Sequence, residues 1–71
     1  MQDQILGVLQ AYNRPVPVYI IVYEMGLCGV SGARTEQERD SQRAVERELR
    51  SLIASQQVET DMVKYCLPGY W

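Results

Sequence analysis

Apolar residues near the start of the chain recur at the spacing of an α-helix. Ile5, Leu9 and Tyr12 lie at positions i, i+4 and i+7, which places them on one face of a helix. Pro15 ends the pattern, because a proline disfavours helical backbone at the residue before it. The spacing therefore predicts a first helix over residues 2–12.

The next apolar segment, residues 16–27, carries two competing signals. Its run of β-branched and aromatic residues favours a strand. Four of its apolar residues nevertheless lie at i, i+3, i+4 and i+7 of a helix: Val18, Ile21, Val22 and Met25. We favour a helix with Pro17 in its first turn, where the missing N–H costs nothing, after one or two extended residues at Pro15 and Val16. Gly26 is a suitable helix stop.

The longest periodic segment predicts a third helix over residues 35–55, after a glycine-rich loop over residues 27–34. Thr35 and Glu38 have the spacing of a capping box, in which each side chain satisfies a free backbone N–H at the helix start. The apolar face of this helix follows at i, i+4, i+7 and i+8: Val45, Leu49, Leu52 and Ile53. Of all the elements, this helix has the clearest signals.

The remaining residues predict a small antiparallel hairpin that precedes an aromatic tail. Residues 58–59 form its first strand, a polar turn lies near Thr60 and Asp61, and residues 63–67 form its second strand. Apolar residues alternate with others along that second strand: Val63, Tyr65 and Leu67, with Lys64 and Cys66 between them. Because 71 residues allow one domain, we expect a single, mostly α-helical domain with a small β-hairpin over residues 1–71.

Charge and hydropathy narrow the class of protein. Seven Lys and Arg against nine Asp and Glu give a formal charge of −2, which argues against a general nucleic-acid coat protein. The first residues lack the basic pattern of a signal peptide, so we expect none. The longest apolar run, residues 16–23, is far below the roughly 20 residues that span a bilayer. We therefore expect a cytoplasmic protein without a membrane partner.

The residue types that most catalytic and metal sites use are scarce in this sequence. It has no His and two cysteines, Cys28 and Cys66. Because no export signal is expected, we expect both cysteines to be buried thiols rather than a disulfide. We therefore expect no Cys/His zinc site within one chain and no His general base, and no phosphate-binding loop of the usual spacing occurs. The sequence predicts a protein that is not an enzyme and that uses no metal or cofactor.

Six segments of the chain, defined mainly by their apolar positions, occur in a familiar order: residues 5–9, 15–16, 21–27, 44–52, 58–59 and 65–67. Their order of three helices and a hairpin resembles the winged helix-turn-helix family. The resemblance implies a three-helix winged-helix fold that binds double-stranded DNA through its third helix in the major groove. Two features depart from the family pattern. Gln56 and Gln57 stand where such helices commonly end in Gly, and the short wing turn carries Glu59 and Asp61.

The side of the third helix opposite its apolar face carries the candidate DNA contacts. Arginines recur there at i, i+4, i+8 and i+11: Arg39, Arg43, Arg47 and Arg50. Base contact is expected in the early half of the helix, from Ser41, Gln42 and Arg43. Arg can make two hydrogen bonds to guanine, and Gln can make two to adenine. Three further side chains are placed to reach phosphates: Arg34, Arg39 and Lys64. The resemblance thus predicts a dimeric transcriptional regulator or an accessory protein of a mobile element.

A solvated helix face is the plain alternative for these arginines. Residues 34–50 contain five Arg and five acidic residues, so the segment is neutral. Three acid–arginine pairs fall at i,i+3 or i,i+4, which is ordinary on an exposed helix: Glu36–Arg39, Asp40–Arg43 and Glu46–Arg50. Acidic neighbours oppose phosphate contact.

Protein binding is the other alternative, because the second helix is apolar nearly all round. Such a helix suits a homodimer or a contact with a protein partner. Three apolar residues of this helix lie off its main apolar face, and the chain ends in two aromatic residues that could anchor an interface. The candidate interface residues are therefore Tyr19, Ile20, Tyr23, Tyr70 and Trp71. The two terminal aromatics could equally cover the thin core of the domain itself.

Overall fold

The computed structural model describes residues 1–70, so the predicted interface role of Trp71 lies outside the described residues. Within that range the chain forms three α-helices and a three-stranded antiparallel sheet. In chain order these are α1 (Gln2–Tyr12), β1 (Val16–Pro17), α2 (Val18–Glu24), α3 (Glu36–Ala54), β2 (Glu59–Thr60) and β3 (Lys64–Cys66). The prediction of a mostly α-helical fold with a small β element is confirmed. No helix in residues 1–70 has the length and apolar character needed to cross a bilayer.

The segment with two competing signals contains both a strand and a helix. The prediction that Pro17 lies in the first turn of a helix is wrong, since Pro17 has extended backbone and belongs to β1. Val16 pairs with Tyr65 and Pro17 with Lys64, which makes β1 an edge strand of the sheet. An edge strand tolerates a proline because one side of it needs no N–H donors.

Both later helices end in the same hydrogen-bonded turn. After α2, Gly26 takes a left-handed backbone (φ 77°), as the sequence predicts for a helix stop. After α3, Gln56 takes the same conformation (φ 65°), and its N–H donates to the carbonyl of Ile53. The Gln57 N–H donates to the carbonyl of Leu52 at 2.9 Å. The departure from the family pattern at Gln56 therefore changes the residue type but not the backbone turn.

The start of α3 has the predicted capping box. The Glu38 N–H donates to Thr35 Oγ1, and the Thr35 N–H donates to Glu38 Oε1, each at 3.1 Å. Together these bonds satisfy free donors at the helix start, so the first turn of α3 is fixed by local contacts.

The core lies between the three helices and one face of the sheet. Its buried side chains come from every helix and from the residues around the strands: Ile5, Leu9, Val16, Ile21, Val22, Val45, Leu49, Leu52, Val58 and Cys66. The apolar faces predicted for the three helices therefore all contribute to the core.

The second strand of the hairpin is shorter than predicted, and its most buried residue is a cysteine. Cys66 is fully buried in the core, whereas Val63 is 65% exposed and lies in the turn before β3. Tyr65 and Leu67, which alternate with Cys66, are half-buried and also pack against the core. Of the three residues of β3, Cys66 is the one that is fully buried.

Candidate nucleic-acid interface

The arginine row, defined as Arg39, Arg43, Arg47 and Arg50, lies on the solvent side of α3. All four of its residues are exposed, and the opposite side of the helix is anchored by Val45, Leu49 and Leu52 in the core. Because the buried face fixes the rotation of the helix, the row is held outward as a continuous strip of guanidinium groups. This is the arrangement that the periodicity predicts.

One ion pair involves the arginine row within residues 1–70. Arg43 Nη1 lies 2.7 Å from Asp40 Oδ1, and both side chains are well exposed. An exposed ion pair of this kind contributes about 0–1 kcal/mol, because water screens it and both side chains lose freedom. Arg43 can therefore exchange this carboxylate for another anion at little cost.

The other two predicted ion pairs do not form within residues 1–70: Glu36–Arg39 and Glu46–Arg50. Instead, Arg39 Nη1 donates to the backbone carbonyl of Arg34 at 3.0 Å, and Glu46 Oε1 accepts from Gln42 Nε2 at 3.1 Å. Three of the four guanidinium groups of the arginine row consequently have no carboxylate within 4.0 Å in the described part of the chain.

Two further acidic residues near the row have partners within the fold. The backbone N–H groups of Thr35 and Arg34 lower the pKa of Glu38, so its carboxylate stays ionised as part of the helix cap. Glu48 Oε2 accepts from Gln2 Nε2 at 2.9 Å and thereby links α1 to α3. The carboxylates of Glu38 and Glu48 therefore bond within the fold, and neither forms an ion pair with the arginine row in residues 1–70.

The predicted base-contacting residues are not all on one surface. Arg43 belongs to the exposed row, whereas Ser41 and Gln42 are half-buried. At ~100° per residue, Ser41 lies about 160° around the helix from Arg43, on the border of the packed face. The structure therefore does not bring Ser41 together with the arginine row. The side-chain amide of Gln42 donates its hydrogen bond to Glu46.

The predicted phosphate contacts lie in three separate places. Arg39 belongs to the row, Arg34 is exposed in the loop just before α3, and Lys64 is exposed at the start of β3. Lys64 lines a groove together with Arg14, a residue that the sequence did not mark as functional. No spacing rule joins these two cations, since only the pairing of β1 with β3 brings their segments together.

The candidate protein-binding residues are partly exposed on α2. Tyr19 is 46% and Tyr23 is 41% exposed, and they follow each other one turn apart. Ile20 is half-buried against the core, and Tyr70 is exposed after the sheet. Tyr19 and Tyr23 thus form a small aromatic surface, while Ile20 is mainly a packing residue.

Both cysteines are free thiols, with Cys28 half-buried and Cys66 buried. Burial raises the pKa of the Cys66 thiol, and it also raises the pKa of Cys28. A raised pKa keeps a thiol neutral at pH 7, whereas a nucleophilic cysteine needs its thiolate.

No protein-family model, no curated protein and no solved structure matches this chain.

Proposed function

We propose that this protein is a small winged helix-turn-helix protein that binds double-stranded DNA, as a transcriptional regulator or an accessory protein of a mobile element. The observation that carries the proposal is the arginine row, which stands outward on α3 with a single exposed carboxylate partner in residues 1–70. In the proposed complex α3 enters the major groove, where Arg can bond to guanine and to phosphates.

The hairpin supports this proposal because its tip, residues 61–63, is well ordered by its own side chains. Asp61 Oδ1 accepts the N–H groups of Val63 and Lys64 at 2.9 and 2.8 Å, and Thr60 Oγ1 accepts the N–H of Met62 at 2.9 Å. These backbone donors lower the pKa of Asp61. Asp61, the acid that departs from the family pattern, is therefore part of the turn itself.

The proposal predicts duplex binding that depends on Arg43 and Arg47. Fluorescence anisotropy with a labelled pool of random duplexes at low salt is expected to show binding that weakens steeply as salt rises, because bound phosphates release counterions. Replacing both arginines with Ala is expected to abolish measurable binding, because each lost base contact removes about 1–3 kcal/mol of binding free energy.

The matched control is the double variant Arg43→Lys and Arg47→Lys, which keeps both charges but loses the guanidinium fork. It should retain much of the salt-dependent binding while discriminating less between duplex sequences. Both double variants should melt near the wild-type temperature, since these side chains are exposed. If the wild-type protein binds no duplex at low salt, the proposed function is wrong.

A protein-interaction role is the second candidate, and the exposed pair Tyr19 and Tyr23 is the observation that favours it. This role predicts self-association through α2, visible in sedimentation velocity as a sedimentation coefficient that rises with concentration. Tyr19→Glu or Tyr23→Glu should make the protein monomeric, because a charge would be buried in the contact. The control is Met62→Glu, which adds the same charge in the hairpin, away from α2, at a residue that is 86% exposed. It should leave the self-association unchanged. A wild-type monomer at all concentrations would contradict self-association.

A further inference from the structure

A groove of about 590 Å³ lies between the hairpin and the segment that joins α1 to α2. Its lining includes two cations, two aromatic rings, a proline and one acid: Arg14, Lys64, Tyr12, Tyr19, Pro17 and Asp61. We call it the Arg14–Lys64 groove. It is separate from the arginine row, which lies on α3.

The sheet builds this groove from distant parts of the sequence. Pro17 of β1 pairs with Lys64 of β3, and a single residue, Pro15, separates Arg14 from β1. Pro15 and Pro17 restrict the backbone between Arg14 and α2, because each ring fixes its own φ. The two cations are therefore attached to backbone with little freedom, rather than to a loose loop.

The Arg14 side chain is also held in place by an aromatic ring. Its guanidinium carbon lies 5.7 Å from the centroid of the Tyr12 ring, within the range of a cation–π contact. The Tyr12 hydroxyl in turn donates to Glu24 Oε1 at 3.0 Å. An arginine stacked on a ring keeps its N–H groups free to bind an anion.

The groove has an excess of positive charge in a protein whose formal charge is −2. In the described part of the chain, neither Arg14 nor Lys64 has a carboxylate within 4.0 Å. The acid of the groove, Asp61, directs Oδ1 at two backbone N–H groups of the hairpin tip. Two cations thus face the groove, and the carboxylate there is already hydrogen-bonded.

We propose that Arg14 and Lys64 bind a phosphate of the DNA backbone beside the hairpin, as a second contact that is independent of base sequence. This inference rests on the proposed function, because it assumes that the chain binds duplex DNA. Phosphate suits the groove because a guanidinium fork and an ammonium can share its oxygens. Contacts of this kind fix the orientation of a protein on the duplex and carry no sequence information.

The test compares wild-type protein with Arg14→Gln and Lys64→Gln by fluorescence anisotropy, on two unrelated duplexes and over a range of salt. Each variant should weaken binding to both duplexes by the same factor. Each should also reduce the slope of log K against log salt, by at most about 0.9, because the two cations share one phosphate. Arg14→Lys should restore most of the slope.

Gln4→Glu, at an exposed position of α1, lowers the net charge by the same one unit and should leave the slope unchanged. Thermal melting checks that every variant is folded. If wild-type protein binds DNA through Arg43 and Arg47 while the two groove variants keep its affinity and slope, the inference is wrong and the proposed function stands. A loss confined to one duplex also overturns it, since that marks a base contact. If wild-type protein binds neither duplex nor the random pool, the proposed function fails and the inference fails with it.

Discussion

Replacing Leu49 with Ala is expected to remove about 2–5 kcal/mol from the free energy of unfolding, because the change leaves a cavity in a close-packed core. Leu49 is fully buried on the face of α3 that packs on the other two helices. A chain of this length has a total stability of about 4–11 kcal/mol. The variant is therefore expected to lose roughly half of its stability.

Urea titration followed by far-UV circular dichroism measures this loss as a lower midpoint. The control is the neighbouring change Arg50→Ala, which removes an exposed side chain from the same helix and should stay within about 0.5 kcal/mol of wild type. A Leu49→Ala protein as stable as Arg50→Ala would contradict the packing of α3 described above.

Replacing Cys66 with Asp is expected to unfold the protein, whereas Val63→Asp should have little effect. Cys66 is fully buried in the central strand, so the new carboxylate would have no partner and would cost about 3–5 kcal/mol. Val63 is largely exposed in the turn, where a charge remains in water.

Circular dichroism and urea titration separate these outcomes, with Cys66→Val as the control that keeps an apolar side chain of similar size. That variant should stay within about 1.5 kcal/mol of wild type. Equal damage from Val63→Asp and Cys66→Asp would show that the buried side of β3 is assigned incorrectly.

The helices could be predicted well because their signals are local. The bounds of α1 follow from its apolar spacing and from Pro15, and the start of α3 follows from the capping box of Thr35 and Glu38. The strand β1 could not be predicted in this way, since its partner Tyr65 lies in a distant part of the sequence. A period of two also marks two faces of a strand without saying which one is buried.

The candidate site likewise has one part that local sequence patterns predict and other parts that depend on the folded structure. The arginine row follows from helical spacing, and the sequence predicts it correctly as an exposed strip. Which carboxylates pair with it depends on competing partners, such as the carbonyl of Arg34 for Arg39 and the amide of Gln42 for Glu46. The meeting of Arg14 and Lys64 depends on sheet register, so no local pattern in the sequence contains it.

The position of β3 in the sheet has a consequence for the order of folding. β3 lies between β1 and β2, although both of its neighbours precede it in the chain. The pairing of Val16 with Tyr65 closes a loop that contains α2, α3 and β2, so its entropic cost of closure is high. Helix formation is local and fast, and long-range strand pairing is slow. We therefore expect the helices to form first, with the sheet as the final, rate-limiting step that seals Val16 and Val58 from water.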